Sequence, residues 1–296
     1  MKGRWVCPDN LQTREDFMKF QLIAAAAVAA LAAPVANAAL DLQVVGSTNV
    51  SGAFGLAYDG TNVWYSTASR TLGRLDQGTM TLVGSTYNTG IWGELAWDGT
   101  NIAQANQNSR AISFFSNVDG SAQGSRTITG ASGYGLIDGL DIYGGKIYYS
   151  PDVGSIFRAD LATGVVEADI TQGSAGGFSG VQYVPVASGD FLIVVNDASN
   201  PRTLCRMSLA GVIAAGDCAT LANDRYEGLA FDGRYIYAAD YYGNRIDKID
   251  LKLDGGSILV PPVNGIPEPE TYALMLAGLG VVGYMARRRK QERTVA

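Results

Sequence analysis

Apolar and polar positions in the middle of the chain repeat one pattern. Gly55-Leu56-Ala57-Tyr58-Asp59-Gly60 returns as Glu94-Leu95-Ala96-Trp97-Asp98-Gly99, as Gly139-Leu140-Asp141-Ile142-Tyr143-Gly144 and as Gly228-Leu229-Ala230-Phe231-Asp232-Gly233, with a weaker copy at Gly180-Val181-Gln182-Tyr183. The leucine-equivalent positions 56, 95, 140, 181 and 229 lie 39, 45, 41 and 48 residues apart. Their mean of about 43 falls in the range of a four-stranded propeller blade. Most copies read as a buried strand running into Asp-Gly or Gly-Gly, the favoured two-residue hairpin turn. Second strands are predicted at Val63-Trp64-Tyr65, Lys146-Ile147-Tyr148-Tyr149, Phe191 to Val195 and Tyr235-Ile236-Tyr237. Amphipathic third strands follow at Thr71 to Asp76, Ser155 to Asp160, Arg202 to Leu209 and Arg245 to Asp250, and weaker fourth strands at Thr81 to Ser85 and Val165 to Ile170. No segment between 39 and 260 sustains a 3.6-residue period. The pattern therefore predicts an all-β core, a β-propeller of five four-stranded blades.

The last unit, ending near Asp254, lacks a good fourth strand, whereas the start of the core has one to spare. Leu42 to Thr48 shares Val-Gly-Ser-Thr with Val83 to Thr86. Residues 42–48 are expected to close the ring as the outer strand of the last blade, which protects the edges of the first and last sheets. Ser257 to Val260 is the competing closing strand.

The two ends do not share the pattern. Met18-Lys19-Phe20-Gln21 is a short basic start, Leu22 to Ala33 is a 12-residue apolar stretch, and Ala36-Asn37-Ala38 fits small-x-small cleavage before Ala39. This reads as a secretion signal, with Pro34 stopping any longer helix. Residues 1–17 carry Arg4, Asp9, Arg14, Glu15 and Asp16, which do not suit such a start, so Met18 rather than Met1 is expected to begin the chain. At the other end, Pro267-Glu268-Pro269 precedes the 16 uncharged residues Thr271 to Ala286 and the basic stop Arg287-Arg288-Arg289-Lys290. A helix of that length spans about 24 Å, and snorkelling arginines make up the remainder of a ~30 Å hydrocarbon core. Basic residues stay cytoplasmic, which fixes the orientation of this transmembrane helix. The chain thus divides into an extension and signal (1–38), the propeller (39–260), a linker with Pro-Glu-Pro (261–270), and a transmembrane helix with basic tail (271–296).

Pro267-Glu268-Pro269, the glycine-bearing apolar stretch with Gly278, Gly280 and Gly283, and the basic end together resemble the PEP-CTERM sorting signal of Gram-negative bacteria. The resemblance implies export through the secretion machinery, an inner-membrane-anchored intermediate, processing by an exosortase, and delivery to the cell surface or exopolysaccharide matrix of biofilm-forming species. The same tail is sometimes labelled an ice-binding protein C-terminal domain, which says nothing about ice. A plain membrane anchor would need neither the Pro-Glu-Pro nor so short a span. Within the core, Leu229 to Asp250 resembles an NHL repeat through Tyr235-Ile236-Tyr237-Ala238-Ala239-Asp240 and Gly243-Asn244-Arg245-Ile246-Asp247-Lys248-Ile249-Asp250. That likeness implies a propeller and selects no ligand, since NHL-type propellers bind proteins, RNA and small molecules.

Composition narrows the chemistry. Histidine is absent, which removes Ser-His-Asp triads, Cys-His pairs and His-ligated zinc. The net charge is −6, and residues 39–266 alone hold 13 basic against 22 acidic side chains. Such a balance disfavours a nucleic-acid partner. Three cysteines without C-x-x-C spacing exclude a thiolate cluster. Cys205 and Cys218 fall in the third and fourth strands of one unit, equidistant from a turn at Gly211-Val212, and are expected to face each other as a disulfide; the competing reading is two separate thiols. Cys7 leaves with the signal.

The Asp-Gly residues Asp59, Asp98 and Asp232 read as turn chemistry. Glu94, Asp138 and Glu227 stand at the starts of innermost strands, around one mouth of the central channel, where three carboxylates could hold a cation such as calcium. Some gluconolactonase-type propellers use an acidic residue at a similar place, although the other two units offer Phe54 and Ser179. Solvated loop carboxylates are the plain alternative. Trp92, Tyr226, Tyr241 and Tyr242 are candidates for stacking on sugars. The expectation is an exported propeller, without a cofactor, that binds or scaffolds envelope or exopolysaccharide components. The alternatives are a calcium-dependent lactonase-like or glycan-cleaving enzyme using Glu94, Asp138 or Glu227, and a purely structural matrix protein.

Overall fold

The computed structural model describes residues 40–130, 136–151, 155–171, 177–186, 189–196, 202–222 and 225–252. The signal, the sorting tail with its expected helix, Cys7 and Ser257 to Val260 lie outside the described residues. Among the described residues there is no helix, hence none long and apolar enough to cross a membrane.

Twenty strands form five four-stranded antiparallel sheets. Blade 1 holds β2 (Ala53–Tyr58), β3 (Asn62–Thr67), β4 (Thr71–Asp76) and β5 (Leu82–Asn88). Blade 2 holds β6 (Leu95–Trp97), β7 (Asn101–Ala105), β8 (Ala111–Ser116) and β9 (Ala122–Thr127). Blade 3 holds β10 (Gly139–Tyr143), β11 (Lys146–Ser150), β12 (Phe157–Asp160) and β13 (Val166–Asp169). Blade 4 holds β14 (Phe178–Val184), β15 (Phe191–Asn196), β16 (Thr203–Ser208) and β17 (Cys218–Thr220). Blade 5 holds β18 (Tyr226–Phe231), β19 (Tyr235–Asp240), β20 (Arg245–Lys252) and, as its outermost strand, β1 (Asp41–Asn49). β1 pairs antiparallel with β20 from Asp41↔Lys252 to Asn49↔Arg245, so residues 42–48 close the ring.

Five apolar clusters fill the five seams between neighbouring blades. Alternation along a strand assigns successive side chains to opposite seams. On β3, Val63 and Tyr65 pack toward blade 5 while Trp64 between them packs toward blade 2. The hairpins after the innermost strands are held by the aspartate of Asp-Gly. Asp59 Oδ1 accepts Thr61 N–H and Asn62 N–H, Asp98 Oδ1 accepts Thr100 N–H and Asn101 N–H, and Asp232 Oδ1 accepts Arg234 N–H and Tyr235 N–H. These carboxylates are thus consumed by turn backbone. Cys205 and Cys218 are cross-strand partners on β16 and β17, joined as a disulfide.

The repeat glycine serves close packing around the axis. A Cβ on Gly139 would lie 2.4 Å from Ser179 O, one on Gly180 2.2 Å from Glu227 O, and one on Gly228 2.3 Å from Phe54 O. A Cβ on Gly55 would meet Glu94 Cα at 2.5 Å. Four of the five innermost strands therefore lay their backbone directly on a neighbour, which only glycine permits.

Candidate functional site

Blade 2 breaks this rule. Its repeat reads Gly93-Glu94-Leu95, which places Glu94 where the four other blades carry the contact glycine. The side chain reaches past blade 1 to blade 5, where Glu94 Oε2 stands 2.7 Å from where a Gly228 Cβ would be. Glu94 is 1% exposed, and its Oε1 has no hydrogen-bond partner. Burial, then the charges of Asp138 and Glu227, hold its carboxyl well above the ordinary carboxylate range, with the Leu95 N–H acting against them.

Asp138 and Glu227 are also buried. Asp138 Oδ1 accepts Gln107 Nε2–H at 2.5 Å, and Glu227 Oε1 stands 2.5 Å from Arg225 Nε. Arg225 and Glu227 are two residues apart at the start of an extended strand, which puts both on one side. The three carboxylates thus share a field without sharing a ligand position. Among the described residues no three acidic or thiol side chains are placed to hold a metal ion. Two of the three expected cation-site carboxylates, Asp138 and Glu227, are turned to an amide and a guanidinium. None of the three is a solvated loop carboxylate.

Aromatic rings stand beside Glu94 on the same mouth. Phe54, which precedes the repeat glycine of blade 1, lies 5.2 Å from Trp92 and 5.9 Å from Tyr241 between ring centroids. Tyr241 meets Tyr242 edge-on at 5.2 Å, and the Arg225 guanidinium sits 5.7 Å from the Tyr242 ring centre. Trp92 is half-buried with its Nε1 buried and unpartnered, and Tyr242 is 61% exposed. Trp92 and Glu94 flank Gly93 in the segment that leads into β6. Tyr226 is different: it is fully buried and donates its hydroxyl to Asp247 Oδ2 at 2.8 Å, which takes it out of any sugar-facing set. Phe54, Gln107 and Arg225 are the site neighbours that sequence reasoning missed; the i, i+2 spacing of Arg225 and Glu227 was the available signal for one of them.

Two other features lie apart from this mouth. Asp141, buried in the seam between blades 3 and 4, accepts Gln182 Nε2–H and Tyr183 N–H at Oδ2 and Ile142 N–H at Oδ1. Burial raises it to about 7 against those bonds, so it is an inter-blade clamp with its acceptors filled. A groove of about 570 Å³ between blades 2 and 3 opens at the opposite end of the innermost strands, lined by Asp98, Arg126, Lys146 and Asp160. Lys146 there is bonded to Asp160 at 3.2 Å and Glu167 at 2.5 Å.

Glutaminyl cyclase from Myxococcus xanthus is similar in fold, with a TM-score of 0.55 at 16% identity over 72% of this chain and 97% of that one. The nidogen/laminin complex aligns with a TM-score of 0.49 at 16% identity (69% and 78% covered), and BamB from Moraxella catarrhalis with 0.35 at 14% (66% and 71%). No curated protein matches the sequence. Residues 265–290 match the PEP-CTERM protein-sorting motif, so this propeller is the cargo of an exosortase-directed signal: an exported protein that passes through a membrane-anchored intermediate.

Proposed function

We propose that the exported propeller binds a saccharide of the cell envelope or exopolysaccharide at the channel mouth framed by Phe54, Trp92, Tyr241 and Tyr242. One observation carries this reading. Glu94 Oε1 and Trp92 Nε1, an oxygen and an N–H donor two residues apart in one segment, are both buried without a partner beside a row of aromatic rings. An unpaired buried polar atom costs about 1–3 kcal/mol, which a bound polar group offsets. A sugar hydroxyl both accepts and donates, and the apolar face of a pyranose suits an aromatic ring. The test is retention of the full chain on immobilised exopolysaccharide, with Trp92→Ala and Tyr241→Ala as probes. Retention reduced tenfold or more in either variant supports the site; equal retention removes it.

A second reading rests on the same Glu94. A carboxyl held well above the ordinary carboxylate range by burial and by Asp138 and Glu227 is shifted in the direction that a general acid in glycan cleavage requires. Release of reducing ends from the same polymer, abolished in Glu94→Gln, would favour it; binding without release leaves the first reading in place.

A further inference from the structure

We propose that the groove between blades 2 and 3 is a second ligand site, which takes the carboxylate of an acidic sugar on the Arg126 guanidinium. The internal repeat supplies the comparison behind it. Tyr87 on β5 pairs with Leu72, the second residue of β4, and Arg126 on β9 pairs with Ile112, the second residue of β8, so the two side chains hold the same position in blades 1 and 2. Each lies over a turn glycine of the following blade: a Cβ on Gly120 would stand 2.4 Å from Tyr87 Cγ, and one on Gly164 3.2 Å from Arg126 Cδ. Tyr87 is completed within the fold, its hydroxyl donating to Val118 O at 3.1 Å. Arg126 is not. It is half-buried, its Nε is buried without a partner, and among the described residues no acceptor or carboxylate meets its guanidinium. It lines the groove of about 570 Å³ instead.

The other charges of the groove are occupied. Lys146 is bonded to Asp160 and Glu167, and Arg158 to Glu167. Asp98 gives Oδ1 to the Thr100 and Asn101 N–H groups and Oδ2 to Asn101 Nδ2–H. Asp98, Asp160 and Glu167 are thus matched in number by Lys146, Arg158 and Arg126, and Arg126 is the base that no acid meets. A guanidinium presents a planar fork of donors that fits a carboxylate with two parallel bonds. Beside it the groove is lined by the Phe114 ring, which suits the apolar face of a sugar, and by Gly144 and Gly145, which bring no side chain to fill the space. A uronate holds its carboxylate rigidly on such a ring, whereas an acidic peptide holds it on a flexible stem. Residues 39–266 carry 13 basic against 22 acidic side chains, so a polyanion gains nothing from long-range attraction and its binding needs a local cation.

The test is titration calorimetry of the full chain with a β-1,4-linked hexauronate, the same hexamer with its carboxylates reduced to neutral alcohols, and hexaglutamate. The hexauronate should bind roughly tenfold or more tightly than either of the others, as a charge-assisted pair of hydrogen bonds allows. Arg126→Gln should bring the uronate within about twofold of its reduced form. Arg126→Lys, which keeps the charge and loses the fork, should retain only part of the preference, and circular dichroism checks that both variants are folded. Equal affinity for the uronate and its reduced form in the unaltered chain overturns the carboxylate site. A preference that persists in a folded Arg126→Gln chain places the carboxylate elsewhere and overturns it as well. Hexaglutamate bound as tightly as the hexauronate overturns the assignment to a sugar, and no binding of any of the three overturns the whole proposal.

Discussion

At the scale of single residues, the axis of the ring is governed by backbone contact. Gly180→Ala places a methyl 2.2 Å from Glu227 O and 2.8 Å from Val195 Cγ2, in a seam without room to yield. The expected loss is about 1–3 kcal/mol, read as a lower urea midpoint with an unchanged slope. The cross-strand disulfide gives a second prediction. Closing the loop between Cys205 and Cys218 stabilises by about 3 kcal/mol in the chain-entropy account. Cys218 is exposed, so reductant reaches the bond. Reduction of the unaltered chain and the Cys205→Ala, Cys218→Ala double variant should lower the urea midpoint by similar amounts; a reduced chain with an unchanged midpoint would show that the bond carries no stability. The departure at Glu94 was legible, because aligning the repeats puts a glutamate under four glycines. Its neighbours were not. Gln107 meets Asp138 across a blade boundary, and repeat steps ranging from 39 to 48 residues hide which loop positions face one another.

At the scale of elements, β1 couples the two ends of the described core. It pairs with β20 along its length, Ser47 Oγ donates to Asp247 Oδ1 at 2.5 Å, Thr48 Oγ1 donates to Met80 O, and Val50 N–H follows by bonding Asn244 O. A mature chain beginning at Val50 leaves β20 as an uncovered edge with its apolar Leu251 bared. Expected is a chain that aggregates on concentration or melts at least 10 °C lower; an unchanged melting temperature would mean that closure contributes nothing. Inner elements were readable because burial imprints itself on them. β3 and β19 are buried on both faces, and the Asp-Gly turn before each is required by the hairpin. Outer strands were poorly readable for the converse reason. β9, Ala122–Thr127, is almost wholly exposed, so no apolar alternation marks it, and β17 is only three residues long. β1 was found only because it duplicates the sequence of β5.

At the scale of the whole molecule, two sets of carboxylates pull stability in opposite directions with pH. Turn and surface carboxylates are held below their ordinary values: Asp76 by the backbone and hydroxyl of Thr79, Asp119 by the backbone and hydroxyl of Ser121, Asp160 by Thr163 and Lys146, and Glu167 by Lys146. Their contribution is present above the ordinary values near 4 and is lost as pH falls through the lower folded values. Glu94 and Asp141 are raised, Asp141 to about 7. The folded state holds their protons more tightly than the unfolded chain does, so their contribution is complete below about pH 4 and is lost as pH rises toward the folded values. The two trends cross in mildly acid solution, where the melting temperature should be highest. Glu94→Gln separates them, because an amide resembles the protonated carboxyl in shape and lacks its titration. The variant and the unaltered chain should melt alike near pH 4. Above that the unaltered chain should fall away, and the variant should keep the part of the stability that Glu94 alone forfeits while still losing the share of Asp141. Melting curves taken every half pH unit from 4 to 8 read this directly: parallel profiles would show that Glu94 ionises freely in the folded protein, and the electrostatic basis of the proposed ligand site would fall with it.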